Sequence, residues 1–211
     1  MDGEFFATED FKLDVPEKGG GCSIGMVGAG RSGKTTALVY IMNKYFSKHI
    51  GVLFTGSPQI KEYQDINLIQ SCQFQPRVIK TMYEINKDTN NHYKFLCVLD
   101  DIVDRKFDKE VLKCWTIYRN SDLSSVVSVQ DVNLLNASGR NNINFLMLFK
   151  LNTDDRVERC IKAYLSSHFP KGMKMIDKVR WYKKNTEDHH FIFVDSLNDK
   201  IYRSRIDLSK K

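Results

Sequence analysis

The sequence predicts a three-layer α/β domain built on a mainly parallel sheet. Three observations carry that reading. Short apolar runs alternate with segments of helical spacing along the chain, the pattern of successive β-α-β units. The central runs are apolar at consecutive positions, as strands covered by helices on both faces must be. A glycine-rich turn joins the first such run to the first helix.

The elements follow in order. The first twenty residues (1–20) read as an arm, closed by the flexible glycines of EKGGG (17–21), with residues 21–211 forming one domain. CSIGMVG (22–28) is a buried strand and KTTALVYIMNKYFSK (34–48) a helix. Residues 51–55 read as a second strand, and the stretches around 61–69 and 76–87 as weakly helical. NHYKFLCVLDD (91–101) is a third strand ending in two acids. KEVLKCWTIYR (109–119) is helical, SSVVSVQ (124–130) is the fourth strand and NFLMLFK (144–150) the fifth. DDRVERCIKAYLSSHF (154–169) and GMKMIDKVRWYKK (172–184) are helices. HHFIFVD (189–195) and KIYRSRI (200–206), separated by SLND, make a terminal β-hairpin.

Composition bounds the function. The 211 residues are 42% apolar and 27% charged, a globular balance that excludes a disordered or collagen-like chain. Apolar runs such as FLCVL and FLMLF are too short to span a bilayer. The acidic start, MDGEFFATED, is unlike a signal peptide. Five scattered cysteines without a CxxC pair point to a reducing compartment. The net charge of +6 suits a polyanionic partner.

The strongest motif is GAGRSGKT, Gly28 to Thr35, which fits GxxxxGK[ST] in full. Its members are Gly28, Ala29, Gly30, Arg31, Ser32, Gly33, Lys34 and Thr35, with Thr36 following. Glycines let successive N–H groups turn inward around a phosphate, and the following helix adds its positive end. Lys34 is expected to reach the β- and γ-phosphates of ATP, and the Thr35 hydroxyl to hold Mg²⁺. The second motif is the pair of acids ending FLCVLDD. It places Asp100 where a carboxylate binds Mg²⁺ through water, and Asp101 where a base orients the attacking water. The third is Gln130, at the tip of the next strand, facing the γ-phosphate or that water. Together these predict a RecA-like P-loop sheet of order 5-1-4-3-2, with one strand inserted between the phosphate-loop strand and the acidic strand.

GAGRSGKTT, VLDD, YRNSDLSSVVSVQD and GRNNINFLMLFKLNT, in that order, resemble the FtsK–HerA superfamily. Within it they are most similar to the genome-packaging ATPases of poxviruses, other large double-stranded DNA viruses and virophages. The resemblance runs over residues 20–206. It implies ATP hydrolysis coupled to translocation of double-stranded DNA into a preformed capsid, with Asp100 as metal ligand, Asp101 as base and Gln130 as sensor. Many cellular members carry glutamate at the position of Asp101. Arg119 resembles the arginine preceding the sensor strand and Arg140 the one preceding strand five; either would face a neighbour's nucleotide. A homo-oligomeric ring of five or six subunits, a capsid vertex protein as partner and a place at the virus assembly site in the host cytoplasm follow from the same likeness.

Two other functions fit the phosphate loop. A small nucleoside or nucleotide kinase needs a lid with several arginines, whereas the interval before strand five holds only Arg140. A nucleotide-gated DNA-binding switch would hydrolyse slowly. Weaker signals are read more plainly. The basic stretch from Lys171 to Lys184, with Trp181 and Tyr182 interleaved, could meet a DNA backbone, yet aromatic residues at helical spacing usually belong to a core. Arg105 and Lys106 sit where a channel loop could emerge. His189 and His190 lack zinc-like spacing. Cys22 and Cys97 are expected in the core, and Ser57, Pro58 and Tyr63 beside the nucleotide base.

Overall fold

The structure is a computed structural model that describes residues 11–15, 20–57, 61–101, 109–135, 139 and 141–207. Eight strands form one sheet: β1 (Ser23–Val27), β2 (Ile50–Thr55), β3 (Ile69–Ser71), β4 (Phe95–Asp100), β5 (Leu123–Val129), β6 (Phe145–Leu148), β7 (His190–Asp195) and β8 (Lys200–Arg205). Their order is β3-β2-β4-β5-β1-β6-β7-β8. The five central strands therefore stand in the expected order, with β5 inserted between the phosphate-loop strand and the acidic strand. Everything from β3 to β6 pairs parallel, and the terminal hairpin β7–β8 adds antiparallel to β6.

One segment differs from expectation. Residues 61–69, read as weakly helical, form a single 3₁₀ turn (Lys61–Tyr63) and then lead into the short edge strand β3. Three residues of β3 carry little periodic signal, so only pairing with β2 defines it.

Among the described residues five α-helices cover the sheet: α1 (Lys34–Tyr45), α2 (Pro76–Asp88), α3 (Lys109–Thr116), α4 (Asp154–Cys160) and α5 (Met175–Asn185). Strand alternation explains why both faces are apolar. Leu96 and Val98 of β4 point to the face covered by α1, through Ala37, Leu38, Ile41 and Met42. Phe95, Cys97 and Leu99 point to the other face, covered by α2, α3, α4 and α5. Each face buries its own cluster, so the domain has two cores sharing one sheet. Phe11 and Leu13, within the stretch read as an arm, join the α1 core, with Phe11 edge-on to Phe191 and Phe193.

The plain reading of the aromatic pair in α5 holds. Tyr182 is fully buried and donates to the Phe149 carbonyl, and Trp181 meets Phe169 edge-on. Cys22 and Cys97 are buried, and burial pushes the Cys22 thiol well up. No helix among the described residues is long and apolar enough to cross a membrane.

Candidate nucleotide site

Parallel strands bring their carboxyl ends to one edge, and there the sequence motifs meet. After β1 the chain turns at Gly28, whose N–H donates to Val129 O, while Ala29 N–H donates to Lys150 O. The loop is thereby fastened to the tips of β5 and to the end of β6. Gly28 has no room for a side chain: a Cβ would stand 2.5 Å from that of Phe149. Gly33 adopts φ 98, the left-handed region that favours glycine, and caps α1 without any side-chain bond to the first-turn N–H groups. No acid occupies that first turn, so its donors and the helix dipole face the loop. Lys34 is the first residue of α1, 5% exposed, with Nζ donating to the Gly28 and Ala29 carbonyls at 2.7 and 3.2 Å. Burial pushes its pKa down, and the charges of Asp101 and Asp100 push back.

Asp100 ends β4 with the parity of Leu96 and Val98, so its carboxylate faces α1 and the loop. It is 3% exposed. The Tyr63 hydroxyl donates to Oδ2, while Oδ1 is buried with no hydrogen-bond partner. Burial pushes the Asp100 pKa up; the Tyr63 and Ser128 hydroxyls oppose this, Asp101 adds to it and Lys34 opposes it. Ser128 stands opposite Asp100 in the β4–β5 register. Asp101 leaves the strand in a left-handed conformation, φ 49, with its N–H donated to Ser128 O. Gln130 Nε2 donates to Asp101 Oδ2 at 3.3 Å, and both residues are exposed at the mouth of the loop. Such left-handed turns at non-glycine residues cost of order 1–3 kcal/mol and concentrate at functional sites.

The expected residues therefore converge, with two exceptions. Arg119 lies in the 3₁₀ turn Tyr118–Ser121 before β5, where its carbonyl accepts from Gly21 N–H and its Nη1 donates to Asn142 O at 3.5 Å. That is the opposite, amino edge of the sheet, about 20 Å from the loop at 3.3 Å per strand residue. Arg140 lies outside the described residues, as do Arg105, Lys106 and Pro58. Tyr63, placed beside a base by position alone, is instead fully buried against Asp100. The parity of a strand-tip acid and a tyrosine shortly beyond the neighbouring strand tip was the available signal for that pair. His189 stands against the loop, 3.5 Å from where a Gly33 side chain would begin. Among the described residues no group of three or more His, Cys, Asp or Glu could hold a metal ion.

The donor set here is of another kind: one hydroxyl, Thr35, and one buried carboxylate oxygen lacking a partner. Mg²⁺ favours one or two protein oxygens, with water and phosphate completing its shell, so these residues fit it.

Fold and strand-tip residues together define a RecA-like P-loop NTPase fold. No family model matches the sequence, and no curated protein matches it. Among solved structures the chain is similar to the genome packaging NTPase B204 from Sulfolobus turreted icosahedral virus 2 in complex with AMP, with TM-score 0.62 and 13% identity, covering 89% of this chain and 98% of that one. It is similar to the pCW3 conjugation coupling protein TcpA with ATPgS, with TM-score 0.57 and 12% identity over 90% of this chain and 62% of that one. EssC from Geobacillus thermodenitrificans is a third neighbour, with TM-score 0.57 and 10% identity over 88% of this chain and 39% of that one. At these identities the likeness establishes the fold.

Proposed function

We propose that this chain is an ATPase motor that drives double-stranded DNA into a viral capsid. The observation that carries the catalytic half is the contact between Gln130 and Asp101 at the mouth of the loop that holds Lys34. An ionised carboxylate whose one oxygen accepts from an amide keeps the other for a water proton, and so can align that water on the γ-phosphate. Lys34 and the N–H groups of the loop and first helical turn stabilise the charge gathering on the phosphate oxygens. Thr35 and Asp100 would hold Mg²⁺, which when bound neutralises phosphate charge. Gln130, one residue past β5, positions the base and senses the phosphate it faces.

The DNA half is supported by similarity of fold to a genome-packaging NTPase over nearly its whole length, together with the net charge of +6. In this reading the chain works as a homo-oligomeric ring of five or six at the virus assembly site of the host cytoplasm, docked on a capsid vertex protein. Arg119, remote from its own loop, acts on the neighbour's nucleotide, with Arg140 the other candidate. The test is ATP turnover with and without duplex DNA. Stimulation by DNA with release of free phosphate is expected. Turnover indifferent to DNA contradicts the motor, and a phosphorylated nucleoside product establishes a kinase instead.

A further inference from the structure

The 3₁₀ turn Lys61–Tyr63 sends its last side chain inward, into the core on the α1 face of the sheet. Tyr63 is 0% exposed, and its phenol reaches two residues of the candidate site at once. The hydroxyl donates to Asp100 Oδ2, and the Thr35 side chain acts on the same phenol, opposing the rise that burial gives its pKa. Thr35 and Asp100 come from different elements, α1 and β4, and this oxygen is what they share. The chemistry of that chain of bonds is directional. A phenol has one proton, and here it goes to the carboxylate; a threonine hydroxyl that donates to the phenol oxygen keeps its own lone pairs outward. Asp100 then has Oδ2 committed to Tyr63, while the buried Oδ1 makes no hydrogen bond and the Ser128 hydroxyl opposite also bears on the carboxylate.

We infer that Tyr63 is a positioning residue for the magnesium site, holding Asp100 and Thr35 so that Oδ1 and the threonine lone pairs face the cation's shell. The inference rests on the nucleotide-site reading given under Proposed function. Partners of this kind, which orient a ligand without touching the metal, typically carry 10–100-fold of metal affinity. A tyrosine that served packing alone would affect stability and leave metal preference unchanged.

The test uses the full chain and Tyr63→Phe, which keeps the ring and removes one oxygen. Binding of a fluorescent ATP analogue is measured first in excess EDTA and then across a magnesium titration. Metal-free affinity should agree within about twofold, while the magnesium concentration for half-maximal tightening rises about tenfold. Direct Mn²⁺ binding by electron paramagnetic resonance should weaken by the same factor. Equal magnesium midpoints in parent and variant overturn the role of Tyr63. A parent chain that binds nucleotide without any response to magnesium overturns the underlying site reading, a different outcome. A second measurement does not depend on the variant folding. With 3-fluorotyrosine at position 63, the ¹⁹F resonance of the nucleotide-bound chain should shift on adding Mg²⁺, and an unmoved resonance overturns the proposal.

Discussion

At the carboxyl edge of the sheet, several buried polar atoms are left without hydrogen-bond partners. Ser32 Oγ, Asp100 Oδ1 and Ser128 Oγ all lie there, beside a lysine whose burial lowers its pKa. The amino edge of the same strands does the opposite. Asn86 is fully buried and uses its whole amide, donating to the Tyr93 and Ser121 carbonyls and accepting from Tyr93 N–H. Asn144 Oδ1 accepts from both the backbone and the hydroxyl of Ser23. His49 Nδ1 and Ser125 Oγ are exceptions toward that edge, both buried without a partner. An unmade hydrogen bond in a buried site costs about 1–3 kcal/mol, so a fold keeps several together only where something else uses them. One edge is built to hold the chain together and the other to hold a ligand.

Substitutions should therefore separate into two kinds. The largest effect is expected at Arg119, the one amino-edge residue with a proposed chemical role. Arg119→Ala should lower DNA-stimulated turnover about a thousandfold or more while leaving nucleotide affinity intact, read by phosphate release and by equilibrium binding. At the carboxyl edge, Asp101→Asn should cost about 10²–10⁴-fold in hydrolysis and spare binding, because it removes the base and keeps the contact to Gln130. Asp100→Asn should instead weaken the magnesium dependence. Lys34→Ala should lower turnover about 10²–10³-fold and loosen ATP, since only backbone dipoles then face the β- and γ-phosphates.

The amino edge should answer in stability. Asn86→Ala leaves three backbone groups unpaired at about 1–3 kcal/mol each before water or rearrangement relieves them. Denaturant melts should register that loss, and the magnesium midpoint for nucleotide should not move. The smallest effect is at His49. Burial first, and the charge of Lys94 second, hold its pKa down at about 4 against an ordinary 6.5, with Asp122 opposing. A base with a depressed folded pKa is neutral in the fold, so protonation favours unfolding. Stability should fall as pH drops from about 6.5 to 4, and His49→Phe should flatten that part of the pH profile.

The contrast also explains what was readable in the sequence. The strand order was legible because an acid after β4 and a glutamine after β5 constrain which strands neighbour the loop. Lys34, Asp100, Asp101 and Gln130 were legible because strand tips and a local loop place them with little help from the rest of the fold. Edge strand β3 was not, since three residues have no period to read. Tyr63 was named only as a neighbour of the nucleotide base, because its contact with Asp100, 37 positions away, is joined by packing and hinted at only by strand parity. Arg119 was singled out by the resemblance of the run before β5, but its distance from its own loop emerges only from the parallel pairing that separates the two edges.

The central claim is that the two edges belong to one active site shared between subunits, and mixing inactive variants tests it most directly. Lys34→Ala keeps its amino-edge arginine, and Arg119→Ala keeps its phosphate loop. Combined at concentrations where rings form, with duplex DNA present, the pair should recover a measurable fraction of parent turnover, at those interfaces where an intact loop meets an intact Arg119. Activity no higher than the sum of the two separate variants, or an Arg119→Ala chain as active as the parent, would contradict the shared site.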